Sequence, residues 1–505
     1  MKHHICLIFL LLIILFSISI RLPYLNCPLE SDEGGFAYQA YFFLKKNISF
    51  YDSCIFRYLP GFPLLYALIF KIFGSKPSDI RLFIALWNVF TIIFIYFTTK
   101  KITDEYVALF ASFLYACFSW HPLIKGHIGK EIFMLLPLVL SLYFYLLYHN
   151  HFHKLPLFFA GFFVGLSVVF KQSTLPIWAH FLLFIYLESR NKLRDWLIFL
   201  LGACLPIFIF SSYACFSIGI KRFCNLFFVY QIGFASIFIG PWWYHLLRFL
   251  FTSTATGICF WLIAVFYARR NIKNNMFLWY FLISYLFFSF IGVTLGGCWW
   301  RHYYLQLLPA LTILLGWEGA SLWRSKSKKI YIFIGLLTLP FFFDFMAALY
   351  EHTHCIGIVN GLGQEISTYL KKNSKADDKI YAFLYFNPSI YFGAEREAAL
   401  PYLWKTDLLF RPERIYEVIK LIESENRPIY LVTYSKEKTL RYIRSRCKPG
   451  DNFIEKIKKS LLTYYPFCKD YPLQIELTNK FFEIIPQFYS PIKNFNCEVT
   501  VWKKN

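Results

Sequence analysis

The chain has 505 residues, of which 57% are hydrophobic and 22% aromatic, with a mean hydropathy of +0.47 and a formal net charge of +22. Soluble domains hold about 45 to 50% apolar residues, so an ordinary soluble protein is excluded. The charge would point to nucleic acid in a soluble chain, but it lies in short gaps between apolar runs, which argues for membrane lipids as neighbours and against a nucleic-acid partner.

The first apolar run, Ile5 to Ile20, follows Lys2, His3 and His4. No small-x-small cleavage site precedes Arg21 and Pro23, so the run reads as an uncleaved first helix. Further runs of about 16 to 22 residues continue to position 347. Basic residues gather at alternate gaps: Lys100 and Lys101; His149 to Lys154; Arg190, Lys192 and Arg194; Arg269, Arg270 and Lys273; Arg324, Lys326, Lys328 and Lys329. Cytoplasmic gaps carry such an excess. Placing those gaps and the N-terminus in the cytoplasm predicts about eleven spanning helices, at approximately 5–20, 80–99, 105–120, 129–148, 155–170, 174–188, 196–217, 253–268, 276–294, 303–322 and 330–347. An odd number of crossings places the C-terminal part outside.

Two external gaps are long, 21–79 and 218–252. Within the first, FAYQAYFFLKK and PGFPLLYALIFKIFG have apolar faces too short to span, which suits helices lying in the interface and roofing a cavity. After residue 350 the pattern changes. GLGQEISTYLKKN and RPERIYEVIKLIESEN read as helices, and KIYAFLYF and PIYLVTY as strands. The expected fold class is an all-α membrane part over 1–350, with its long first external loop at 21–79, followed by a small extracytoplasmic α/β domain over 351–505. Cys447, Cys468 and Cys497 in that domain are odd in number, so their pairing stays open.

Charges beside the external gaps are the candidates for chemistry. Glu30, Asp32 and Glu33 in PLESDEGGFAYQA can act as a general base or hold a divalent cation; a solvated loop cluster is the plain alternative. Glu131, in HPLIKGHIGKEIFMLLP, stands at the entrance of an apolar helix, where a carboxylate either faces protein or water or is held by the helix macrodipole. Lys125, His127 and Lys130 lie beside it. Lys171, in GLSVVFKQSTLPIW, is a phosphate ligand or a snorkelling side chain. In GGCWWRHYYLQLLPAL, Arg301 and His302 neighbour Trp299, Trp300, Tyr303 and Tyr304, either an interfacial aromatic belt or a guanidinium placed for a lipid phosphate beside a sugar. One acidic centre facing several cations fits transfer of a sugar from a lipid-linked phosphate: a carboxylate takes the acceptor's proton, and cations or a metal stabilise the departing phosphate. A phosphate with a second pKa near 6 leaves without the acid catalyst that glycoside hydrolysis requires.

DEGGFAYQA, then FYDS, then YLPGFPLLY, in this order, resembles the first external loop of the polyprenyl-phosphate-dependent glycosyltransferases of the GT-C fold, in the bacterial branch related to protein mannosyltransferases and lipid A aminoarabinose transferases. KEIFMLLP, FKQSTLP and RHYYLQLLPAL are similar to later motifs of that branch. The resemblance implies Asp32 as catalytic base beside Glu33 and a donor site lined by Glu131, Lys171 and Arg301; the transfer is expected to invert the anomeric centre, and His302, Tyr303 and Tyr304 are further candidates for binding the donor. It also implies a polyprenyl-phosphate-linked sugar donor, a lipid A, glycan or protein acceptor, a bacterial inner (plasma) membrane, and an external C-terminal domain covering the cavity. Relatives often carry Lys before the Pro-Pro of the first loop; here Tyr58, Leu59 and Pro60 stand there, and Arg57 is the substitute phosphate ligand. A divalent cation, Mg2+ or Mn2+, on Asp32 and Glu131 is a candidate cofactor. The rival readings are a transporter or flippase of a lipid-linked glycan, which calls for charge near mid-bilayer and related halves, and a glycan ligase or polymerase.

Overall fold

The computed structural model describes residues 2–29, 31–56, 58–119, 130–232, 242–268, 276–297, 299–353, 358–384, 388–409, 411–447, 471–495 and 499–505. A helix stands at each of the eleven expected places. The helices of this part include α1 (Lys2–Ser19), α2 (Ser31–Lys46), α3 (Gly61–Ile72), α4 (Pro77–Ile102), α5 (Glu105–Phe118), α6 (Leu135–His151), α7 (Lys154–Phe170), α8 (Ile177–Glu188), α9 (Lys192–Ile218), α10 (Trp242–Ala255), α11 (Ile258–Ala268), α12 (Met276–Thr294), α13 (Leu308–Arg324) and α14 (Lys329–Thr353).

Among the described residues, five helices are long and apolar enough to cross a membrane: Pro77–Ile102, Glu131–His151, Lys192–Ile218, Met276–Thr294 and Arg301–Arg324. A sixth is gained if Trp242–Ala255 and Ile258–Tyr267, bent by 80°, count as one. Several other apolar helices are shorter; the 17 residues of α7 rise about 25 Å at 1.5 Å each, against a hydrocarbon core of about 30 Å. The chain is a multi-pass membrane protein. Its outward faces are correspondingly apolar: Phe9 of α1 and Phe208 and Phe216 of α9 are exposed, where water would penalise them and lipid does not. Gly257 allows the 80° bend, since it adopts φ +75° and an added Cβ would lie 2.6 Å from Pro340. α2 and α3, in the first long loop, are the expected short amphipathic helices.

α7 and α9 pack backbone against backbone. Cβ atoms added at Gly161 and Gly165 would lie 2.1 Å from the carbonyl oxygens of Phe199 and Ala203, and one at Gly202 would lie 2.1 Å from that of Phe158. The small-xxx-small spacing of 161 and 165 puts both on one face, so backbones meet directly, as helices in lipid require when apolar burial cannot drive their association.

The C-terminal part is built on a four-stranded sheet of order β1-β2-β4-β3, from Ile380–Phe383, Tyr430–Tyr434, Tyr489–Phe495 and Val499–Lys504. β1 and β2 pair in parallel, with Ile380 opposite Tyr430, and are joined by a crossover containing the helix Glu413–Glu423. That helix buries Ile415, Val418, Ile419 and Ile422, spaced i, i+3, i+4 and i+7. β3 and β4 form an antiparallel hairpin irregular at Pro491/Lys493; it adds two strands to the two expected. Cys447 has no described side chain, and Cys468 and Cys497 lie outside the described residues.

A Gly165→Ala change should lower stability by about 1–3 kcal/mol, because a carbonyl oxygen cannot swing aside. Melting in detergent should show the loss, and Gly335→Ala, where an added Cβ meets nothing within 4 Å, should not show it.

Candidate functional site

Asp32 and Glu33 occupy the first turn of α2, where carboxylates complement the macrodipole. Consecutive helical positions differ by about 100° in direction, and the two part. Asp32 is exposed and Glu33 is buried. Glu33 Oε2 lies 3.2 Å from Arg81 Nη2, and the same nitrogen donates to the Pro28 carbonyl at 3.0 Å. Glu33 thereby fastens α2 to α4. Glu30 lies outside the described residues.

The two glycines that follow bring in the C-terminal part. An added Cβ at Gly34 would lie 2.3 Å from Ser389 Cβ, and one at Gly35 would lie 2.3 Å from Trp404 Cζ2. Trp404, seated there, donates its indole N–H to Asp32 Oδ1 at 3.2 Å and sets its ring 6.4 Å from that of Phe36. The loop that delivers it is itself tied down. Asp407 Oδ2 accepts the Trp404 backbone N–H at 3.2 Å, and the Asp407 carbonyl accepts from Arg414 Nη1 at 2.9 Å. Two further hydrogen bonds seal this contact: the Ala398 N–H donates to Tyr38 Oη at 3.0 Å and the Ile55 N–H to the Pro401 carbonyl at 3.0 Å. Burial holds the Tyr38 phenol well above its ordinary pKa, so it stays neutral. The two long gaps also meet, through Arg222 Nη1 at 2.8 Å from Asp52 Oδ1.

A second charged centre assembles from three segments. Lys171 ends α7 just before the 3-10 turn Gln172–Thr174, and its Nζ reaches Glu131 Oε1 at 2.8 Å, with both side chains 5% exposed. His302 Nε2 stands 3.6 Å from the same oxygen, and Lys171 Nζ lies 3.4 Å from the centroid of Tyr303. Arg301 and His302 belong to the 3-10 segment Arg301–Leu307 that leads into α13. Phe133, in the helical turn Lys130–Phe133 that carries Glu131, packs 5.2 Å from Phe62 of α3 and 5.6 Å from Trp87 of α4. An aromatic layer therefore joins this centre to the helix that bears Arg81.

Glu131, Lys171, His302 and Tyr303 are thus brought together. Tyr304 turns away, its hydroxyl 2.9 Å from Thr252 Oγ1 of α10, and the Arg301 guanidinium lies 5.7 Å from the Phe251 ring of the same helix, its buried Nε without a hydrogen-bond partner. Arg57, Lys125 and His127 lie outside the described residues, and the Lys130 side chain is not described. The expected cation pair does not fit well. Glu131 already faces an ammonium group, Asp32 faces an indole N–H, and among the described residues no group of three or more His, Cys, Asp or Glu is placed to hold a metal.

Three participants escaped the sequence reading. Trp404 lies 372 positions from Asp32, and Arg81 looks like an ordinary basic residue near the start of a spanning helix. Arg21, at the end of α1, is buried, donating to the Ser17 carbonyl at 2.7 Å and to Ser119 Oγ at 3.0 Å.

The dolichyl-phosphate-mannose-protein mannosyltransferase family matches residues 59–216, about a third of the chain, including Glu131 and Lys171 but not Asp32 or Arg301. ArnT of Cupriavidus metallidurans, solved bound to undecaprenyl phosphate, is similar in structure with a TM-score of 0.59 and 12% identity, over 97% of this chain and 97% of that one. ArnT is a lipid A aminoarabinose transferase, and it shares the GT-C fold with the oligosaccharyltransferase AglB. The fold is GT-C. The Archaeoglobus fulgidus oligosaccharyltransferase tethered to an acceptor peptide gives a TM-score of 0.55 at 13% identity, over 100% of this GT-C chain and 74% of that chain. AglB of the same organism with an inhibitory peptide and a dolichol-phosphate gives 0.51 at 13%, over 88% and 71%; that oligosaccharyltransferase is also known in complex with Zn and sulfate. No curated protein sequence matches the chain.

Removing one partner of a buried ion pair strands the other. Lys171→Ala should therefore cost about 3–5 kcal/mol, and Lys171→Ala combined with Glu131→Gln should recover part of it. Thermal unfolding of the three proteins checks both statements.

Proposed function

We propose that this chain is an integral membrane glycosyltransferase that moves a sugar from a polyprenyl-phosphate donor to a lipid A, glycan or protein acceptor on the external face. The observation that carries this reading is the convergence of Glu131, Lys171, His302 and Tyr303 on one buried centre, together with the GT-C fold. The polyprenyl phosphates and the acceptor peptide held by the structural neighbours support both substrate classes. The same reading has eleven crossings, a cytoplasmic N-terminus, a bacterial inner membrane, a membrane part over 1–350 and an external domain over 351–505.

Asp32 acts as the base. Its Oδ1 accepts from Trp404, which leaves Oδ2 to take the proton of the acceptor hydroxyl as that oxygen attacks the anomeric carbon. The bond from that carbon to the phosphate oxygen breaks on the opposite face, inverting the centre, and the phosphate keeps the electron pair. Lys171 opposes the charge that develops there, and Tyr303, under its ammonium, offers a ring face to the sugar. Arg301 and Tyr304 contribute at the side formed by α10. Arg57 is a phosphate ligand in the first loop. No step is routed through a metal.

A flippase would place its charges near mid-bilayer in related halves; here they stand at helix ends, at the start of α2, the end of α7 and the entry to α13, which favours the transferase. A ligase or polymerase shares the donor chemistry and differs in transferring a preassembled chain.

General-base catalysis contributes roughly 10² to 10⁴ in rate, so Asp32→Asn should cut transfer by at least 100-fold while the protein inserts normally. Mass spectrometry of envelope glycolipids and glycoproteins from cells bearing each form reads the product, and wild-type product levels from Asp32→Asn would reject the base. Trp404→Phe keeps a ring over Gly35 but removes the N–H. It should lower transfer about tenfold through a less well aimed carboxylate, with the melting temperature unchanged.

A further inference from the structure

Away from the charged centres, α1, α5, α13 and α14 enclose a cavity of about 1030 Å³. Its walls are apolar, formed by Phe16, Phe110, Phe113, Phe333, Leu337 and Phe341 among others. Thr338 is its principal polar side chain below the mouth, and that hydroxyl donates to the Ile334 carbonyl of its own helix at 3.0 Å. A ligand in this space therefore finds no polar partner along its length.

The two ends differ. One end is closed by Ile20, Phe118 and Phe341, with Phe118 stacked 3.6 Å from Trp261. The other is lined by Tyr106, Trp323 and Arg324. Tyr106 and Trp323 are 60% and 74% exposed, and amphipathic rings at a membrane protein's surface mark the headgroup level. From Tyr106 to Phe118 α5 advances twelve residues, about 18 Å. Half of a hydrocarbon core of about 30 Å is about 15 Å. The cavity is therefore about as long as the acyl layer of one leaflet, measured inward from the headgroup level.

Its mouth is basic. Arg324 Nη2 lies 2.6 Å from Asp104 Oδ2, with both side chains about half exposed, so one of the five guanidinium donors is used and others remain. Lys326 and Lys328 follow in the exposed turn that links the two helices forming the cavity wall. Lys329 is engaged elsewhere, with its Nζ 3.4 Å from the Tyr267 carbonyl.

We propose that this cavity is a binding site for one anionic phospholipid, its acyl chains laid between α1 and α14 and its phosphate held by Arg324, Lys326 and Lys328. A neutral lipid would fill the walls equally well, so the preference for negative charge resides in those three side chains. Each basic group near an anionic headgroup contributes about fivefold to binding. The site is separate from Asp32, Glu131 and Lys171, none of which lines it, so it stands whether or not the transferase reading does.

The full chain, purified in detergent and titrated with phosphatidylglycerol and phosphatidylcholine of matched chain length, is to be read by native mass spectrometry. One phosphatidylglycerol should remain bound under activation that strips phosphatidylcholine. Replacing Arg324, Lys326 and Lys328 together by Gln should lower that preference more than tenfold; these side chains are exposed, so lipid-free melting should be unmoved. Ala320→Trp or, on another wall, Cys117→Phe fills the cavity and should abolish retention of both lipids. Equal retention of the two lipids, a triple variant with unchanged preference, or adducts that survive both filling variants would overturn the proposal. So would displacement of phosphatidylglycerol by undecaprenyl phosphate with an affinity indifferent to the three basic residues, since the occupant would then be a polyprenyl chain.

Discussion

Charge inside a membrane protein must be compensated, and in this chain the 2.8 Å pair of Lys171 with Glu131 is where that constraint bears hardest. Each partner sits at a helix end rather than a helix middle: Lys171 where α7 stops, Glu131 in the turn ahead of α6. The backbone there has unsatisfied groups and aromatic neighbours, so a polar centre can be built without breaking a helix. His302 and Tyr303 reach the pair from a 3-10 segment, whose tighter winding presents successive side chains in directions a regular α-helix would not. His302 and Tyr303 then face the pair while Tyr304 is sent to Thr252.

On the proposed reading, a donor phosphate that reaches Lys171 would meet an ammonium already neutralised by Glu131, so its binding would exchange one anion for another. Such an exchange discriminates. An uncharged ligand cannot displace the carboxylate, whereas a phosphate offers more acceptor oxygens to the same donor. His302, 3.6 Å from the Glu131 carboxylate, would on that reading take over this partner if Lys171 turned to a ligand.

Much of this was legible in the chain. Eleven apolar stretches marked eleven helices, and Glu131, Lys171 and His302 stood out because a charge beside an apolar run is costly and therefore informative. Other features were not. The β3–β4 hairpin went unread because β3 buries only its two end residues, so its sequence shows no period-2 alternation. Gly34 and Gly35 were visible as part of a motif, but their physical reason, room for Ser389 and Trp404, is a contact between segments more than 350 positions apart. The parting of Glu33 from Asp32 has a local cause, helical geometry, but its partner Arg81 is fixed only by the packing of α2 on α4.

The contact at Gly34 and Gly35 also constrains how the C-terminal part can move. So close an approach is intolerant of sliding, since a shift of one residue along α2 would set Phe36 against Trp404 or Glu33 against Ser389. The indole–carboxylate hydrogen bond, the Tyr38–Ala398 bond and the Ile55–Pro401 bond fix the same short stretch from three directions. Any departure of this part from α2 must therefore break all three together and leave as a rigid step. Asp32 would lose its N–H donor in that step, so the orientation of the carboxylate and the seating of the C-terminal part are one event rather than two.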